Sequence, residues 1–146
     1  FVRNSPLANA EGWIDVNPEN LQHNHFDNIF ALGDATSTPN AKTAAAVRKQ
    51  APVVAENVLS LLQQQSLKAH YDGYGSCPLT VEHGKIVLAE FGYGGRLLPT
   101  FAKTWLNGLK ATRRAWFLKA SLLPWIYFNL MLKGREWLAK PQPNPE

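Results

Sequence analysis

Among 146 residues there is one cysteine, Cys77, and one methionine, Met131. A single cysteine excludes an internal disulfide framework and a thiolate zinc site built within the chain. It fits a reducing or cytoplasm-facing compartment. No segment joins a charged start, an apolar middle and a small-residue cleavage site, so no secretory signal is read here. No Gly-x-Gly-x-x-Gly occurs, which removes the phosphate-cradling turn of dinucleotide-binding folds. Long apolar runs are scarce as well. The run Leu122 to Leu132 is apolar for eleven residues apart from Asn129, short of the roughly 20 that cross a bilayer. Internal repeats and low-complexity blocks are absent.

The charge is unevenly placed. Residues 1–98 carry seven Lys/Arg against nine Asp/Glu, and residues 99–146 carry eight against two. The same tail holds Phe101, Trp105, Trp116, Phe117 and Trp125. On a helix at about 100° per residue, Phe101, Trp105, Leu109 and Trp116 share one side, with Lys103, Lys110 and Arg114 opposite. A basic and aromatic stretch of this kind predicts a negatively charged partner. A helix pair in the membrane interface fits, with Trp and Tyr at headgroup depth and Lys/Arg against anionic lipid. A soluble core pair with a basic face is the plainer alternative. Nucleic acid fits poorly, because the loop-and-strand aromatic platform of single-strand binders is missing.

Along the chain, residues 1–28 read as loops with one short strand near Trp13–Val16. Ile29–Leu32, stopped by Gly33-Asp34, predicts a buried strand of a mostly parallel sheet. A polar loop follows, then a helix from Ala41 to about Gln65, with a kink or break near Ala51 because Pro52 interrupts it. Leu79–Val81 and Ile86–Ala89 flank Glu82-His83-Gly84-Lys85, a hairpin with Gly84 in its turn. Residues 99–120 and 122–138 predict two helices parted or bent at Pro124. The final PQPNPE reads as a frayed tail.

A strand, a Gly-Asp turn and a helix start form a ligand-binding geometry in α/β proteins. Asp34 would accept hydrogen bonds from sugar or ribityl hydroxyls, and the helix start would favour negative charge. Lys42, in the first turn, would add a cation. Cys77 sits in YDGYGSC, between glycines and Pro78. A lone cysteine is commonly a small buried hydrophobe; reactivity requires the thiolate, favoured by nearby positive charge or a helix N-terminus. His70 and His83 are near in sequence, but neither forms a persuasive catalytic order with Cys77.

Taken together, NIFALGDATSTPNAKTAAAVRKQAPVVAENV resembles the second flavin-contacting segment of the pyridine nucleotide-disulfide oxidoreductase superfamily. Pro39–Ala46, with GWIDVNPENLQH before it and YDGYGSCPL after it, resembles the sulfide:quinone oxidoreductases, especially the branch with the mitochondrial enzyme. LLPWIYFNLMLKGREW resembles that family's membrane-attachment and quinone-pocket region. The resemblance implies an α/β FAD/NAD(P)-binding parent fold of which this chain is an α+β fragment. It implies that Gly33 and Asp34 hold the flavin ribityl chain, that Lys42 and Thr43 lie near the flavin pyrimidine edge, and that Cys77 is the last redox cysteine. In the family, hydrosulfide attacks a cysteine pair, leaving a persulfide; two electrons pass by way of FAD to quinone, and the sulfane sulfur goes to a small nucleophilic acceptor.

Residues 1–66 would then be the end of the FAD domain, 67–98 the segment carrying the redox cysteine, and 99–146 the membrane and quinone side. The expected location is a bacterial or mitochondrial inner membrane, as a monotopic protein contacting lipid through residues 99–140, with a second copy of the chain among its candidate partners. The chain opens at Phe1 rather than Met and lacks a second cysteine. A C-terminal piece of a longer protein is therefore expected, inactive alone and retaining little FAD. Glu82-His83 stands where the family often has Gly-Tyr, so His83 receives no role. A type II NADH dehydrogenase-like flavoprotein and a non-catalytic membrane-binding module are the alternatives.

Overall fold

The computed structural model describes residues 1–100, 108–135 and 139–143. Its elements are helices and two small antiparallel sheets, an α+β arrangement. The long helix α1 spans Ala44–Leu62, starting three residues later than the composition predicts because Thr43 is its N-cap. Thr43 is extended, and its Oγ1 accepts the Ala46 amide at 3.2 Å, satisfying one amide of the first turn. The break expected near Ala51 does not occur. Pro52 lies inside an unbroken helix. Proline forfeits one intrahelical bond, and the buried face of Ala46, Gln50, Val53, Asn57 and Ser60 holds the turns on either side.

Asn57 ties α1 to the rest of the molecule. Its Nδ2 donates to Asn20 O and Ala69 O, both at 3.0 Å, while Oδ1 accepts the Lys68 and Ala69 amides at 3.1 and 2.9 Å. A fully buried amide is tolerated because all four of its hydrogen-bonding positions are matched. Around it, Leu21, Val53, Ala69 and Tyr71 make one apolar core.

Strand β1 (Ala69–His70) pairs antiparallel with β4 (Gln142–Pro143). The terminal PQPNPE is therefore anchored over its described part rather than frayed. Strands β2 (Gly75–Glu82) and β3 (Lys85–Phe91) form the predicted hairpin, with a two-residue His83-Gly84 turn and φ +79° at Gly84. That backbone angle suits glycine, which has no Cβ to clash.

Ile29–Leu32 is not a strand of a parallel sheet. Phe30 makes only a single antiparallel bridge with Gln22, and Ile14 a single parallel bridge with Thr36. A parallel strand needs a neighbour supplied by a crossover, and none runs alongside among the described residues. The 1–28 region likewise has isolated bridges instead of a strand at Trp13–Val16.

The tail also departs from expectation. Helix α2 (Arg113–Phe117), a π-helical turn (Leu118–Leu122) and helix α3 (Leu123–Asn129) run on without a gap, so Pro124 does not separate two helices. The wider turn places the Leu123 amide on Leu118 O, just before the proline that lacks a donor, which lets the ladder absorb the defect. Residues 101–107, and with them Phe101, Lys103 and Trp105, lie outside the described residues. Ala115 packs against Ile86 and Leu88 in a second core, with Trp116 and Leu118 at its margin.

Candidate functional site

A tight 3-10 turn at Gly33–Ala35 opens the loop before α1. Thr36 closes it, its hydroxyl donating to Gly33 O at 2.9 Å and sharing a 2.8 Å hydrogen bond with the Thr38 hydroxyl. Ser37 fastens the loop to the preceding segment: its amide donates to Ile14 O at 2.9 Å, and its Oγ accepts from Val16 N at 3.0 Å. Asp34 is exposed at the tip of this turn.

Lys42 is not in the first helical turn. It precedes the cap, and its ammonium folds back to donate to Thr36 O and, at 3.1 Å, to Thr38 O, with Trp13's ring centroid 5.2 Å away. Burial lowers its pKa, and the Asp34 carboxylate offsets part of that. Although Lys42 is largely exposed, its ammonium ties two loop carbonyls together. Nearby, Asn40 is buried; its Nδ2 donates to Ala41 O at 2.9 Å, but its Oδ1 has no donor. A buried acceptor left open is costly. It is the kind of position a ligand N–H or hydroxyl fills, and with the outward carboxylate of Asp34 it fits a polyhydroxylated cofactor such as FAD.

Cys77 is the third residue of β2, half-buried and paired with Ala89. Period-two alternation puts Gly75, Cys77 and Leu79 on one face with Phe91, Ala89 and Val87 across from them. The other face, with Pro78 and Thr80 opposite Leu88 and Ile86, is covered by Ala115 of α2. Gly75 brings the cysteine strand to the start of α1: a Cβ there would sit 3.6 Å from both Ala41 O and Thr43 Oγ1. Gly73, at φ +80°, lies flat on the Tyr93 ring, where a Cβ would come within 2.4 Å of Cγ. Gly73 therefore permits an approach no side chain would allow, while a Cβ at Gly75 would make ordinary contact with the start of α1.

A polar cluster supports this entry and escaped the sequence reading. Glu90 is buried, and its carboxylate accepts from Tyr74 Oη at 2.7 Å, from Thr100 N at 2.9 Å and from the Thr100 hydroxyl. Burial first, then the Glu90 hydrogen bond and charge, push the Tyr74 hydroxyl up to about 12. The signal was present: Ile86, Leu88 and Glu90 alternate, which places Glu90 on the covered face. His83 is at the hairpin tip, its ring 5.6 Å from that of Trp116, and His70 is in β1. Ladder position separates His83 from Cys77.

On the outer side, Phe117, Trp125, Tyr127, Phe128 and Leu132 are all exposed. The segment Arg113–Lys133 is, by length and composition, long and apolar enough to cross a membrane, longer than the eleven-residue apolar run alone. Arg113 and Arg114 stand at one end, Lys133 and Arg135 at the other.

No protein-family model matches the chain. Among curated proteins it is 38% identical over 133 residues to the mitochondrial sulfide:quinone oxidoreductase of Mus musculus, covering 91% of this chain and 29% of the relative. It is 41% identical over 140 residues to that of Dictyostelium discoideum, covering 95% and 30%. Among solved structures it is similar to a chain in the cryo-EM structure of the Tetrahymena thermophila mitochondrial ATP synthase F1Fo tetramer. That match has a TM-score of 0.71 at 32% identity, over 83% of this chain and 29% of the other. The chain spans about 30% of the length of the curated relatives it matches. Over more than nine-tenths of its own length, it is homologous to a C-terminal portion of the sulfide:quinone oxidoreductases.

Proposed function

We propose that this chain supplies one redox cysteine and the membrane-facing side of a sulfide:quinone oxidoreductase. The observation that carries the reading is the packing of Gly75, two residues before Cys77, on Ala41 and Thr43 at the start of α1. It joins the cysteine strand to the loop that the family resemblance assigns to the flavin. Gly33, Asp34, Asn40 and Thr43 would hold FAD, with Lys42 shaping the loop through the Thr36 and Thr38 carbonyls. FAD, when bound, supplies a two-electron acceptor that is reoxidised by quinone.

Cys77 serves as one end of a cysteine pair whose other member lies outside this chain. Attack by hydrosulfide breaks the bond between the paired sulfurs. One cysteine keeps the incoming sulfur as a persulfide and the other leaves as a thiolate carrying the electron pair. A small nucleophile then removes the sulfane sulfur, and the two thiolates left behind re-form their bond by giving up two electrons, which FAD would accept when bound. Cys77 is half-buried on a face it shares with Leu79, Val87 and Ala89, which leaves the thiol reachable.

The apolar exposed flank of Arg113–Lys133 lies in the membrane interface, with its terminal cations at anionic headgroups. Relatives named as mitochondrial favour a mitochondrial over a bacterial inner membrane. Replacing Cys77 with Ser in the complete protein tests the assignment. Sulfide-dependent quinone reduction should vanish while flavin remains bound; undiminished turnover would refute it. A second reading, a non-catalytic membrane-binding module, draws on the likeness to a chain of an ATP synthase assembly. It requires Cys77→Ser to leave the protein's behaviour unchanged.

A further inference from the structure

Lys119 is the cation set within the apolar middle of Arg113–Lys133, and it does not turn to solvent. Its Nζ donates to Pro78 O at 3.0 Å and to Thr80 Oγ1 at 2.9 Å, reaching from the π-helical turn to the outer edge of β2. Hydrogen bonding in the hairpin explains why that edge needs it. Opposite Pro78, the Leu88 amide points away from β2 and donates to Gly108 O at 2.9 Å. Pro78 and Leu88 are therefore a pair whose backbone groups face outward. Pro78 has no N–H to offer there, and among the described residues its carbonyl has no strand partner on that side. The Lys119 ammonium is the donor that satisfies it.

At the start of α2 the Thr112 amide donates to Ile86 O at 3.1 Å, which ties the cap to β3. Beyond the cap the contact is apolar, Ala115, Trp116 and Leu118 against Ile86 and Leu88. Such contact is non-directional, whereas the two charge-assisted hydrogen bonds of Lys119 fix how the π-helical turn sits on β2. Proline's ring fixes φ at Pro78 and restricts the residue before it. Holding the Pro78 carbonyl therefore leaves Cys77 little backbone freedom. The Cys77 side chain is on the opposite face of the strand, so the ammonium acts through the Pro78 peptide rather than on the sulfur.

We propose that Lys119 is a positioning residue that locks the membrane-facing helix to the Cys77 strand, so that seating the helix sets the exposure of the thiol. The functional consequence rests on the reading of Cys77 as the redox cysteine. The effect on its exposure does not.

The test is the rate of Cys77 alkylation by iodoacetamide, read by mass spectrometry of the Cys77 peptide in the complete protein after reduction with dithiothreitol and removal of the reductant, which frees the thiol. It is run in detergent and on vesicles of phosphatidylcholine with cardiolipin. Losing a directional hydrogen bond should make Lys119→Met alkylate at least about threefold faster in both settings, and lower kcat while leaving the KM for quinone unchanged. Lys119→Arg, which keeps the donor, should restore the wild-type rate. Thr80→Val, which removes one acceptor only, should give a smaller change in the same direction and decides the matter if Lys119→Met does not fold. Wild-type alkylation rates in Lys119→Met, or in Thr80→Val where that variant decides, overturn the proposal. If Cys77→Ser leaves sulfide oxidation intact, the functional reading fails, and the alkylation rates still decide the role of Lys119.

Discussion

The amide of Gly33 donates to the Oε1 of Gln50 across 2.7 Å, and Gln50 is only 1% exposed. The turn bearing Asp34 is thus hung from the second turn of α1, not merely adjacent to it. Gln50→Leu keeps the volume but removes the acceptor, leaving a backbone donor in a largely closed site at a cost of about 1–3 kcal/mol. The expected result is faster hydrogen exchange at Gly33 and weaker FAD retention in the complete protein. Gln50→Glu keeps an acceptor and should retain slow exchange at Gly33. Unchanged exchange in Gln50→Leu would show that Gln50 does not hold the turn.

Alkaline pH should act on the tyrosines around YDGYGSC. Burial raises the pKa of Tyr71, Tyr74 and Tyr93, and Tyr74 reaches about 12. A hydroxyl with a folded pKa above its unfolded value near 10 stabilises the fold fully below pH 10. That contribution is lost as pH climbs from about 10 through 12. Tyrosinate absorbance should therefore lag behind that of a free tyrosine and rise together with loss of structure. Tyr74→Phe should reduce the pH dependence of unfolding in that window; an identical profile would contradict the role given to burial and Glu90.

The outer helix makes a third prediction. Trp125 and Phe128 are 55% and 63% exposed, and burying each in the interface is worth about 1.5–3 kcal/mol. Trp125→Ser with Phe128→Ser should weaken binding to anionic vesicles at least about tenfold. High salt should weaken the wild type less than this, because Debye screening removes only the part contributed by cations such as Arg113 and Lys133. Co-sedimentation measures both. Vesicle binding that survives the double substitution and disappears in salt would mean an electrostatic contact alone.

The hairpin and the long helix were legible in the sequence because each announces itself locally. Alternation and Gly84 fix the hairpin, and a run of strong helix formers fixes α1. The start of α1 was misjudged because Ala41 and Lys42 have good helix propensity, while the decisive group is the Thr43 hydroxyl, which caps instead of joining. Pro52 and Pro124 were overweighted for the opposite reason. Proline's cost is local, and burial around Val53 or a widened turn before Leu123 outweighs it. Ile29–Leu32 has the composition of a parallel strand, but a strand is defined by its neighbours, which local sequence does not contain.

Of the site, Gly33, Asp34, Lys42, Thr43 and Cys77 were picked out from motif resemblance. What no motif carries is their mutual arrangement: Lys42 turned inward onto loop carbonyls, Gly75 against the helix start, and Lys119 on Pro78. Each is a long-range contact between residues that look ordinary alone.

The pairing of β4 with β1 bears on how the molecule assembles during synthesis. Ala69 and His70 are made long before Gln142 and Pro143, and the hairpin and the apolar helix are threaded between them. Bringing such distant segments together carries a closure entropy that nearby contacts do not, and topologies of this kind fold slowly. Trp125 and Phe128 are exposed even in the folded chain, so they are open to contact before that clasp closes. The bilayer, or a chaperone standing in for it, therefore has an opportunity to receive the helix before the clasp shuts.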